Sequence, residues 1–205
     1  MPWSEDHKQV TRKKIIAAAA SAIREHGPDG VSVAAIMKSV GLTHGGFYAH
    51  FESKEALIAE ALSHATAETF AYLEETAASA KAAQPPALAD IADAYLSPIH
   101  REHPHRGCVL AACGTELARA DELVRTACND NIRAYLRWLV QHSHATQRSE
   151  RTREATGALA AMIGGMVLAR ATDDPAEARK ILTTVRAFVR GALKDEESAA
   201  RGSSR

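Results

Sequence analysis

Three imidazoles and a thiol fall within nine positions in His100-Arg-Glu-His103-Pro-His105-Arg-Gly-Cys108. Imidazole nitrogen and thiolate sulfur are ligands that zinc and copper take. A cysteine near a histidine is also the pairing of a nucleophile with its base. Pro104 makes the stretch a loop, however, and spacing in a loop fixes no ligand geometry. No third orienting residue, glycine-rich phosphate loop or acid pair accompanies the thiol. The expected reading is a solvated His100–His103–His105 loop with no metal and no cofactor, in a protein that is not an enzyme. A cysteine-dependent enzyme stands as the alternative from another class.

A second stretch carries a different chemistry. It runs Ser32-Val-Ala-Ala-Ile-Met-Lys-Ser-Val-Gly-Leu-Thr-His-Gly-Gly-Phe-Tyr-Ala-His-Phe-Glu-Ser-Lys-Glu-Ala-Leu57. A short helix with an apolar face, a glycine and a second short helix spell a helix-turn-helix. Thr43, His44, Gly45 and Gly46 open the second helix, whose thin polar face suits a DNA major groove. Each of the two glycines costs about 1 kcal/mol of helix stability relative to alanine. Close approach of the backbone to DNA is the return expected for that cost.

The elements that would position this stretch are helical throughout, because apolar residues recur with a helical period. Ile15, Ile16, Ala19, Ala20 and Ile23 form one stripe, which Gly27 stops before an Asp29-Gly30 turn. Ser32 caps a short helix that buries Val33, Ile36, Met37 and Val40, and Gly41 breaks it. A short segment follows over about residues 43–51. Ser53 caps a long helix, and the alanine-rich residues 77–84 end it or link it onward. Pro85-Pro86 opens a helix carrying Leu88, Ile91, Ala92, Tyr95, Leu96 and Ile99. Further helices are expected from about Cys108 to Ala120, from near Asp121 through Leu139, and from about 150 to 172. Asp174-Pro175-Ala176-Glu177 starts the last one, with Asp174 capping and Glu177 bonding back to the cap. The expected fold is all-α with about nine helices: a three-helix helix-turn-helix domain over 1–52 and a helical ligand-binding and dimerisation domain over 53–194. Residues 195–205 lack apolar periodicity and read as a disordered tail.

Composition bounds the rest. The chain has 205 residues, 46 % of them hydrophobic, enough for a small module fused to a larger domain. Its formal net charge is zero, a mild count against a nucleic-acid binder and the reason a helical ligand-binding or scaffold protein without DNA binding is kept as a rival. Residues 1–54 are locally basic, with seven Lys and Arg against five Asp and Glu. Three cysteines, Cys108, Cys113 and Cys128, form no even disulfide framework and suit a reducing cytoplasm. The polar start, Met1 to Val10, is no signal peptide, and no apolar run approaches the ~18 residues of a membrane span.

Gly41-Leu-Thr-His-Gly-Gly-Phe-Tyr-Ala-His-Phe-Glu-Ser-Lys-Glu-Ala-Leu57 resembles the signature of the TetR family of transcriptional regulators. The signature joins a glycine turn, a recognition helix, a Tyr-x-x-Phe pair and a Ser-Lys-Glu/Asp start to the next helix. The resemblance implies a repressor that holds palindromic double-stranded operator DNA as a homodimer and is released by an inducer. It implies that Thr43, Tyr48 and Lys54 meet phosphates, and that Ser32 caps its helix and reaches one too. His44 becomes the candidate for reading a base edge, with Gly45 allowing close approach, and His50 contacts backbone or base. Gly46 departs from the pattern, standing where threonine or serine is common, so one phosphate-contacting hydroxyl is missing. His44 and His50 replace more strongly charged groups, which makes affinity depend on pH. Phe51 is expected in the core, and Tyr48 at DNA.

Arg106-Gly-Cys-Val-Leu-Ala-Ala-Cys-Gly-Thr-Glu-Leu117 is also similar to a TetR subgroup that includes the electrophile-sensing repressor of N-ethylmaleimide reductase. The similarity makes Cys108 a sensor candidate, its thiol activated by a helix N-terminus and Arg106. A small buried hydrophobe, the usual role of a reduced cysteine, carries more weight. Small residues Gly157, Ala158, Ala160, Ala161, Gly164 and Gly165 make the helices over about 150–172 and 175–193 the expected dimer face. Tyr95, Met162 and Met166 are expected to line an apolar pocket for an unidentified small-molecule inducer.

Overall fold

The computed structural model describes residues 5–80 and 85–202, and it is helical. Nine α-helices and two short 3-10 turns make up the described residues, with no strand among them. None of the described helices is long and apolar enough to cross a membrane. The chain folds as two compact units: residues 1–69 with 104–131, and residues 70–103 with 132–205.

The first unit is built on α1 (Glu5–Gly30). Its buried positions Ile15, Ala19, Ala20 and Ile23 are those of the apolar stripe. Gly27 interrupts the helical geometry at φ 71°, ψ 170°, and Pro28 opens a further turn. α2 (Val33–Ser39) follows, capped by Ser32, whose Oγ accepts from Ala35 N at 3.3 Å. Gly41 takes φ 76°, the left-handed conformation that glycine adopts without strain, and turns the chain toward a 3-10 segment, His44–Ala49. Ser53 then caps α3 (Lys54–Ala80), its Oγ accepting from Ala56 N at 3.1 Å. Residues 54–69 of α3 lie in this unit, as do a 3-10 turn at Pro104–Arg106, α6 (Val109–Leu117) and the start of α7 (Glu122–Gln141). α1 packs on α6 and on the 104–106 turn.

Arg24 lies buried at that packing. It sits one helical turn beyond Ala20, so its stem falls on the apolar stripe and its head must find partners indoors. Nε donates to Ala20 O at 3.0 Å, Nη1 donates to Gly107 O at 3.2 Å, and Nη2 pairs with Glu68. Thr69 Oγ1 donates to Ala65 O at 2.8 Å, with the same Gly107 carbonyl 3.3 Å away.

The second unit pairs α8 (Arg148–Ala171) with α9 (Pro175–Gly202). Gly165 permits the approach, since a Cβ there would lie 3.0 Å from Val185 Cγ1. Asp174 Oδ1 accepts from Ala176 N at 2.8 Å, as a cap should. Glu177 Oε2 meets the Thr172 hydroxyl at 3.5 Å. On residues 70–80 of α3 and the end of α7, the Phe70 ring stacks on Trp138 at 4.3 Å and meets Tyr135 edge-on at 4.8 Å.

The single helix expected from Pro85 through Ile99 is two, α4 (Leu88–Tyr95) and α5 (Pro98–Glu102). Pro98 lacks an N–H and disfavours helical backbone at Ser97, which becomes the cap of α5. The loop expected from His100 to Gly107 is correspondingly shorter, and His100 is a buried helical residue. α9 runs through residues 195–202 of the stretch read as a tail. Residues 81–84 of the expected alanine-rich link and 203–205 of the tail lie outside the described residues.

Candidate nucleic-acid interface

The 3-10 segment has two sharply different sides. Phe47 and Phe51 are buried, stacked at 5.6 Å with their planes 22° apart. Burying both rings fixes which residues between them face outward. Tyr48 is 67 % exposed, large for an aromatic residue. Thr43, His44 and Gly45 are exposed beside it, and Gly46 is half-buried. The His44 and Tyr48 rings meet edge-on with centroids 6.2 Å apart, so the two form one outward patch.

Backbone bonds tighten the segment. Leu42 N donates to Met37 O at 2.8 Å, Gly46 N to Thr43 O at 3.0 Å and His50 N to Phe47 O at 2.9 Å. Among the described residues nothing lies within 4 Å of a Cβ built on Gly45, and at Gly46 the nearest atoms are in ordinary contact at 3.7 Å. Neither residue needs glycine for the protein's own packing. Ser32 is exposed at the head of α2, and Lys54 at the head of α3 directs Nζ to Asp29 O at 3.4 Å. The structure thus brings Thr43, His44, Gly45, Gly46 and Tyr48 onto one segment, with Ser32 and Lys54 at flanking helix starts.

Arg12 was not among the residues singled out by the motif. Its guanidinium carbon lies 4.6 Å from the Phe51 ring centroid, Nε donates to His50 O at 3.4 Å, and Nη2 pairs with Glu60 of α3. It ties α1 to the end of the 3-10 segment. The signal was in the spacing, because Arg12 precedes Ile15, Ile16 and Ala19 by three, four and seven positions, which puts it on the apolar stripe. His50 is half-buried, and its imidazole is held below its ordinary range by burial first and then by Lys8 and Arg12.

The other candidates lie elsewhere. Cys108 stands at the N-cap position of α6 and is wholly buried. The Cys113 thiol is pushed up to about 12, by burial above all and then by Glu116, Cys108 and Cys128, while Arg24 opposes the shift. Burial raises the Cys128 thiol as well. His100 and His103 each donate Nδ1–H to a carbonyl, of Tyr95 at 2.7 Å and of Ile99 at 3.0 Å. Among the described residues no three His, Cys, Asp or Glu side chains are grouped to hold a metal ion. Tyr95, Met162 and Met166 are core residues of the second unit. A cavity of about 220 Å³ in that unit is lined by residues that include Leu88, Asp90, His142, Ser143, Glu154 and Leu193.

Residues 15–61 match the family described as bacterial regulatory proteins, tetR family. No curated protein matches the sequence. Among solved structures, a TetR-family transcriptional regulator from Cytophaga hutchinsonii superposes with a TM-score of 0.72 at 20 % identity, covering 93 % of this chain and 98 % of that one. The reduced form of E. coli NemR gives 0.68 at 22 % identity, over 89 % and 96 % of the two chains. A TetR regulator from Chloroflexus aurantiacus gives 0.66 at 24 % identity, over 89 % and 95 %. Residues 15–61 thus carry the N-terminal module of the tetR family of bacterial regulatory proteins, and the chain as a whole shares the fold of the TetR-family structures.

Proposed function

We propose that the protein is a transcriptional repressor that binds palindromic operator DNA as a homodimer and lets go when a small molecule binds its second unit. The observation that carries the reading is the exposed patch of Thr43, His44, Gly45 and Tyr48, backed by the buried Phe47–Phe51 pair. A protein that had no use for this face would gain helix stability by replacing its glycines, and nothing in its packing forbids that. Tyr48, Thr43, Ser32 and Lys54 supply donors for phosphates, and His44 reads a base edge. Phe188 on α9, with Val167 and Leu168 on α8, exposes apolar surface that a second copy would cover. An effector in the 220 Å³ cavity would be small, since sites for drug-sized ligands run to about 300–1,000 Å³. The buried position of Cys108 favours the small core residue over a sensor or a nucleophile presented to substrate.

Mutants separate the roles. Tyr48→Phe and Lys54→Ala should weaken binding to every duplex alike, and Lys54→Ala should also flatten the salt dependence. His44→Ala should instead relax preference at one base pair per half-site, a loss of about 1–3 kcal/mol of discrimination. Binding selections from random duplex DNA read both effects. Wild-type behaviour from all three variants would remove this face as the DNA-binding site.

A further inference from the structure

We propose that His50 takes up a proton as the recognition segment meets a DNA phosphate, so that affinity for DNA rises as pH falls. The inference rests on the reading above, in which the face carrying Thr43, His44 and Tyr48 is the one that meets DNA. His50 ends the 3-10 segment, its N–H bonded to Phe47 O and its carbonyl to Arg12 Nε. Its Nδ1 is enclosed and has no hydrogen-bond partner among the described residues. An enclosed ring nitrogen is less costly as a bare acceptor than as an unpaired N–H, so the neutral ring keeps its hydrogen on Nε2. Protonation in the free protein would place an unpaired N–H at Nδ1.

The charged groups acting on the ring are Lys8 and Arg12, both on α1 and both cationic. Glu60 of α3 is the partner of Arg12, and Lys54 at the head of α3 is turned to Asp29 O. His44 and Tyr48 occupy the outward face of His50's own segment. Burial and the two cations therefore keep the ring neutral in the free protein. A phosphate oxygen at the Nε2 edge reverses the balance, accepting a hydrogen bond and adding a negative charge that offsets Lys8 and Arg12. The phosphodiester stays anionic near neutrality, so the proton taken up belongs to the imidazole. With the bound ring titrating above the free one, affinity falls as pH rises between the two values. The limit is about tenfold per pH unit for each protomer.

The test uses the full chain and the duplex it enriches from random double-stranded DNA. Calorimetry in buffers of different ionisation enthalpy counts protons taken up on binding, and NMR follows the His50 ring through pH with and without duplex. Uptake approaching one proton per protomer is expected, lost in His50→Gln and kept in His26→Gln, at an exposed histidine of α1 outside the recognition segment. The His50 titration should move to higher pH on the duplex. Tight binding without uptake, an unmoved His50 titration in the wild-type complex, or unchanged uptake in His50→Gln would each overturn the proposal while leaving DNA binding intact. Absence of specific duplex binding at every pH would overturn the functional reading, and this inference with it.

Discussion

Arg24→Ala should lower the unfolding free energy by about 2–3 kcal/mol, the range for hydrogen bonds to a charged group. The Arg24 side chain is 2 % exposed and satisfies two backbone carbonyls, Ala20 O and Gly107 O, besides pairing with Glu68. Glu68 is 44 % exposed and rehydrates when its partner goes, so the ion pair contributes the smaller share. The larger share is the space left by the stem and the loss of the tie between α1 and Gly107. Arg24→Met restores the stem without the donors and should recover part of the loss. Glu68→Gln should cost under about 1 kcal/mol. Urea unfolding measures all three as shifts in midpoint. Arg24→Ala within about 0.5 kcal/mol of wild type would show that the buried guanidinium holds nothing together.

Gly27→Ala should cost about 1–3 kcal/mol, the strain of a backbone region that glycine alone enters readily. Gly27 sits at φ 71°, ψ 170°. A Cβ there would also lie 1.9 Å from Glu116 Oε2, a second source of destabilisation. The two are separable, because Glu116 is exposed and its carboxylate is the far end of a flexible side chain that can swing aside. The backbone term should dominate. Gly27→Ala combined with Glu116→Ala should then regain little of the loss in thermal unfolding. Full recovery in the double variant would mean that the carboxylate, and not the backbone, demands glycine.

Features that depend on neighbours in sequence were the legible ones. The α1 stripe, the Ser32 and Ser53 caps and the Gly41 turn all follow from spacing within a few residues, and all are present. Phe51 in the core was legible for the same reason, whereas the burial of Phe47 beside it was not, and the pair leaves Thr43, His44 and Tyr48 outside. Pro98 was a local signal passed over in favour of the apolar run around it. What spacing alone leaves open is the long-range partner. Arg12 and Arg24 stand on an apolar stripe where a charge requires one, but their partners Phe51, Glu60, Glu68 and Gly107 are 39 or more residues away. The enclosure of Cys108 and the lining of the 220 Å³ cavity depend on tertiary packing in the same way.

Titration of the protein onto its enriched duplex between 50 and 200 mM salt tests DNA recognition most directly. Two protomers per site are expected, with two-fold symmetric half-sites about 34–36 Å apart, one turn of the double helix. If Lys54 and a protonated His50 each neutralise one phosphate per protomer, about four counterions leave the site, and affinity should fall roughly a hundredfold over that range. A single protomer on an asymmetric site, equal affinity for random duplex, or a curve flat in salt would contradict the assignment of this face to operator DNA.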